Sequence, residues 1–105
     1  MNILRLPKLQ PIPIVKGDSQ KITLNVGGIT LTAQDKVVFS LREKESNDSP
    51  LVLQKELSGD SESFIVNLTS QETNIKVGTY YYTYRVFYQD GDVRTLNKPT
   101  ELYIV

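Results

Sequence analysis

The stretch from Gly78 to Tyr88 constrains this chain most. It reads Gly-Thr-Tyr-Tyr-Tyr-Thr-Tyr-Arg-Val-Phe-Tyr and holds five of the six tyrosines. Successive side chains of a strand point to opposite faces. Tyr80, Tyr82, Tyr84, Val86 and Tyr88 therefore share one face, and Tyr81, Thr83, Arg85 and Phe87 share the other. The first row is the core candidate, because the second carries Arg85 and Thr83. Aromatic and β-branched residues suit a pleated, half-buried surface, so the stretch is a strand, and a central one.

The spacing Gly78-x-Tyr80-x-Tyr82 also fits a tyrosine corner. In that motif a tyrosine near the start of a strand bonds back to backbone just upstream, two residues before the cysteine position of antibody domains. Tyr80 is the corner candidate and Tyr82 takes the cysteine position. Phe39, in the preceding alternating segment Lys36–Glu43, takes the central place that tryptophan holds in antibody domains.

The rest of the chain is short alternating segments separated by turn residues. Ile12 to Val15 reads as an edge strand next to Pro11 and Pro13. Gln20 to Val26 turns Ile22, Leu24 and Val26 inward, and Gly27-Gly28 signals a hairpin or bulge before a short strand through Ile29 and Leu31. Leu51 to Leu57 carries Lys55 on its apolar side, the pattern of an edge strand with a protective charge. Ser63 to Leu68 points Phe64, Val66 and Leu68 inward. Thr69 or Ser70 caps a helical turn through Glu72 or Thr73. Asp90-Gly91 marks a two-residue hairpin, Val93 to Leu96 follows, and Glu101 to Val105 is the last strand. About eight strands at a spacing of roughly 8–12 residues, with no helical period, predict an all-β sandwich or small barrel. Residues 1–11 read as an extended N-terminal arm and residues 12–105 as a single domain.

Composition removes several function classes. With no cysteine, the chain has no disulfide and no thiol nucleophile; with no histidine, it lacks the usual general base and the commonest metal ligand. The acidic residues fall in turns or on solvent faces, whereas acid–base catalysis wants convergent, desolvated groups. The expectation is therefore no enzyme, no catalytic residue, no cofactor and no metal. Glu43, Glu45 and Asp48 lack the pattern of a calcium loop and read as solvated. Tyr81, Arg85 and Phe87 resemble a base-stacking platform, but 12 basic residues against 12 acidic ones give no electrostatic attraction to a phosphate backbone, so no nucleic-acid partner is expected. No apolar run approaches the ~20 residues of a membrane helix, and the N-terminus lacks a signal-peptide core, so synthesis and folding in a cytoplasm are expected. The sequons at Asn47 and Asn67 carry little weight without export.

Several short motifs resemble the N-terminal Ig-like domain of phage upper-baseplate proteins from Gram-positive hosts, a module also seen in phage fibres. They are Lys16-Gly17-Asp18, Val38-Phe39-Ser40-Leu41-Arg42, Val77-Gly78-Thr79-Tyr80-Tyr81-Tyr82, Asp90-Gly91 and Thr95. The resemblance spans roughly residues 12 to 105 and implies an Ig-like β-sandwich of about seven or eight antiparallel strands. It implies a structural protein of a phage or prophage virion, a tail baseplate or fibre attachment module made in the host bacterial cytoplasm. Its partners would be other virion proteins or further copies of itself, a trimer included. Family members continue past the sandwich, so a chain ending at Val105 is either an accessory piece or a shortened one. The candidate contact residues are the arm's Leu4, Leu6 and Leu9 and the aromatics Tyr81, Phe87 and Tyr103. The competing expectation is a carbohydrate or cell-surface binding module that uses exposed aromatics as sugar platforms.

Overall fold

The computed structural model describes residues 9–25, 31, 34–46, 48–59 and 63–105. Among these residues, nine strands and one helical turn follow in order: β1 (Ile12–Ile14), β2 (Gln20–Asn25), β3 (Lys36–Arg42), β4 (Leu51–Glu56), β5 (Ser58–Gly59), β6 (Ser63–Leu68), α1 (Ser70–Thr73), β7 (Gly78–Phe87), β8 (Val93–Thr95) and β9 (Thr100–Ile104). The larger sheet runs β1-β9-β7-β3-β4, with β8 also paired to β7. The smaller sheet runs β2-β6-β5. Two sheets enclosing one apolar layer make an Ig-like β-sandwich. Gly27-Gly28 and the strand expected around Ile29 lie outside the described residues; Leu31 is buried in the core.

The pairing is antiparallel throughout the described residues save one ladder. β1 lies parallel to β9, with Ile12, Pro13 and Ile14 opposite Leu102, Tyr103 and Ile104. Val105 N–H donates to Ile14 O at 2.9 Å and Lys16 N–H to Val105 O at 3.0 Å. Pro13 can sit there because β1 is an edge, where a missing donor costs no rung.

β7 is central, as its composition predicts. Its inner row holds Tyr80, Tyr82, Tyr84 and Val86, all buried. Phe39 of β3 is fully buried and stacks on Tyr82 at 5.8 Å between ring centroids, tilted 24°. Tyr84 meets Phe39 at 5.6 Å and Tyr82 edge-on at 5.7 Å. This three-ring cluster fills the space where antibody domains place a tryptophan on a disulfide. The tyrosine corner is present: Tyr80 Oη donates to Lys76 O at 2.6 Å.

The hairpin after β7 has a three-residue loop, where the sequence suggests two. Tyr88 N–H donates to Asp92 O at 2.8 Å, and Gly91 N–H to Tyr88 O at 3.0 Å. Gly91 sits at φ +100°, the left-handed position that closes such loops and that a side chain would strain.

β8 and β9 occupy the same side of β7 but do not form one strand. β8 pairs with Arg85–Phe87 and β9 with Gly78–Tyr82. Asn97, fully buried, spans the gap. Its Oδ1 accepts from Tyr84 N–H at 2.8 Å, and its Nδ2 donates to Tyr82 O at 3.2 Å and Lys98 O at 2.8 Å. One side chain thus supplies the two rungs lost where Lys98-Pro99 leaves the ladder.

Candidate functional site

The outer face of the larger sheet is where the expected aromatics gather. Register places Arg42 and Glu101 on either side of Tyr81, with Tyr103 opposite Thr79 and Pro13. Tyr81 and Tyr103 are diagonal cross-strand neighbours, about 7–8 Å apart. Ser40 and Thr83 lie opposite each other in the next row and are buried, forming a low floor. Arg85 and Val38 make the row beyond, and Phe87 the row beyond that, about 20 Å along the strand from Tyr81. Phe87 is 36% exposed beside Val93 at 52%. Tyr81 and Tyr103 are half-buried.

Arg42 and Ser49 fix the rim. Arg42 Nη1 donates to Ser49 O at 2.8 Å. Ser49 is buried and its hydroxyl bonds Ser46 O at 2.9 Å and Lys44 O at 3.1 Å, so it organises the loop between β3 and β4. The loop carboxylates Glu43, Glu45 and Asp48 are exposed, and among the described residues no cluster of three possible ligands could hold a metal ion.

Leu9 packs half-buried against the sandwich, and its N–H donates to Thr100 Oγ1 at 3.3 Å. Tyr82 Oη donates to Gln10 O at 2.8 Å. The backbone of Leu9 and Gln10 is therefore tied to the sandwich. Leu4 and Leu6 lie outside the described residues. The three outer-face aromatics do not form one platform: Tyr81 and Tyr103 cluster, while Phe87 stands at the far end.

Lys55 is used differently from the expected edge guard. Its Nζ crosses from β4 to donate to Asn67 O of β6 and to Glu72 Oε1 at 2.8 Å. Glu72 closes the capping box with Thr69: Thr69 N–H donates to Glu72 Oε1 at 2.8 Å and Glu72 N–H to Thr69 Oγ1 at 3.2 Å. Burial pushes the Glu72 carboxyl up, but the Lys55 ammonium and the Thr69 donors outweigh it and hold the group below its usual 4.5.

The inner tyrosines are chemically quiet. Burial raises all three, pushing Tyr82 up to about 12 with help from Glu101, and Tyr84 higher still with help from Tyr82. Tyr80 is raised by burial and by Glu43. Each shift favours the neutral phenol at ordinary pH, which suits packing and hydrogen bonding.

No family profile and no curated protein sequence matches the chain. Among solved structures, the crystal structure of CopC from Methylosinus trichosporium OB3b is similar, with a TM-score of 0.54 and 17% identity over 90% of this chain and 82% of that one. The likeness supports the Ig-like β-sandwich. It also points away from the expected virion role, because the similar structure is that of CopC. The motifs behind that expectation are ones the sandwich itself requires. Gly78-x-Tyr80 builds the corner, Asp90-Gly91 closes a hairpin, and Val38–Arg42 is a core strand. Such motifs report the fold.

Asn97 and the Lys55–Glu72 pair are the side chains that sequence reasoning missed. A buried asparagine beside Pro99, just ahead of a strand, is the one local signal for the first. The capping-box glutamate is a local signal for half of the second.

Proposed function

We propose that the chain is a non-catalytic binding module that recognises a protein partner through the outer face of its larger sheet. The observation that carries this reading is the row of Tyr81 and Arg42 on one side of the low floor of Ser40 and Thr83 and Arg85 on the other, with Tyr103 diagonal to Tyr81. Tyrosine and arginine dominate the energetic centres of protein interfaces, because they bury large area at modest entropic cost and keep a polar tip. The inner row of the same strand is spent on the core. The balanced charge favours a protein surface over a polyanion.

The test is site-specific photo-cross-linking in the cell that makes the protein. A photoreactive phenylalanine derivative replaces Tyr81 in one variant and Ile65 in a second. Ile65 is 37% exposed on the other sheet. A discrete adduct from position 81 and none from position 65 is expected. Equal labelling from both positions, or none from either, contradicts the reading. An adduct of twice the chain mass identifies the partner as a second copy.

A further inference from the structure

The two sheets meet along a seam where Lys55 of β4 reaches both β6 and α1, and the Glu72 carboxylate holds the α1 side of it. Glu72 Oε1 accepts from Lys55 Nζ of β4 and from Thr69 N–H at the start of α1, each at 2.8 Å. The same ammonium donates to Asn67 O of β6. The shared atom is thus a donor: Lys55 Nζ of β4 bridges two acceptors, Glu72 Oε1 of α1 and Asn67 O of β6. The other end of α1 is held separately: Thr73, buried, donates through Oγ1 to Asp18 O at 2.7 Å.

We propose that Glu72 is an acid-released latch, whose protonation frees α1 from β4 and loosens this seam while the larger sheet stays folded. Among the described residues, the charged groups on the elements packed around it are few, and Glu56 of β4 pairs with Lys36 at 3.5 Å. Lys55 comes from β4, Lys21 from β2 opposite Asn67 of β6, and Asp18 from the turn before β2. Lys55 is the cation that reaches the carboxylate, with both side chains 25% exposed. A neutral carboxyl loses the ion pair and weakens as an acceptor for Thr69. The ammonium is then left with the Asn67 carbonyl alone, and the capping box opens on one side. The larger sheet is held by other means. The Phe39, Tyr82 and Tyr84 rings and the Asn97 bonds contain no carboxylate.

The sign follows from the direction of the shift. The charged form of Glu72 is favoured in the fold, so the latch is fully closed above the usual value of 4.5 and releases as pH falls through the lower folded value. Amide hydrogen exchange of the full chain, corrected for intrinsic rate, reads this directly. Between pH 7 and pH 3 the Thr69 amide is expected to lose about tenfold in protection, while Tyr82 and Tyr84 amides keep theirs. In Glu72→Gln the Thr69 amide is weakly protected at every pH. In Lys55→Met the Thr69 amide stays protected at pH 7, because the cap survives. Loss of protection at Thr69 and Tyr84 in step would show global acid unfolding and overturn the latch. Thr69 protection that is independent of pH in the native chain would overturn it equally.

Discussion

Tyr80 shows how much one residue can carry in this fold. Its ring is part of the buried cluster, and its hydroxyl donates to Lys76 O at 2.6 Å. Tyr80→Phe keeps the ring and strands the carbonyl, at an expected cost of about 1–2 kcal/mol. Urea denaturation measures it as a lower midpoint at unchanged slope. This contact was legible because donor and acceptor lie four residues apart and Gly78 and Tyr82 flank them in pattern. Lys55 was legible only as a charge on the apolar side of an edge strand. Its partners, Asn67 and Glu72, lie 12 and 17 residues away, a distance that no local pattern encodes.

Among elements, the break between β8 and β9 teaches most. Alternation predicts both segments but not how the sheet survives the interruption at Lys98-Pro99. Asn97 answers with bonds to Tyr84 N–H and Tyr82 O, groups that would otherwise be buried without partners. Asn97→Ala should therefore cost roughly 2–4 kcal/mol, since each stranded group carries a penalty of about 1–3 kcal/mol. Chemical denaturation checks the size. A loss under about 0.5 kcal/mol would mean that water replaces the side chain. Turn chemistry showed the same limit: Asp90-Gly91 announced a hairpin, while the three-residue loop depends on where the flanking ladder stops.

For the whole molecule, one strand divides labour between its faces. The inner tyrosines are neutral and raised by burial, Tyr82 to about 12 and Tyr84 beyond it. An unfolded tyrosine ionises near 10.0. Because the folded values are higher, the fold gains stability that is complete below that point and is lost as pH rises through the folded values. Ultraviolet titration of phenolate should show the buried tyrosines silent at pH 11 and ionising only with unfolding. The sandwich itself was readable from alternation and turn spacing. The motifs behind the family resemblance meet demands of that fold. The central claim is that the inner row of β7 builds the sandwich while Tyr81, Arg85 and Phe87 of its outer row remain available for contact. An alanine scan along β7, read by denaturation, tests it most directly. Tyr82→Ala and Tyr84→Ala should each cost about 3–5 kcal/mol, and Tyr81→Ala and Phe87→Ala about 1 kcal/mol or less. Outer substitutions as costly as inner ones would place the outer face in the structural core and contradict its assignment as a binding surface.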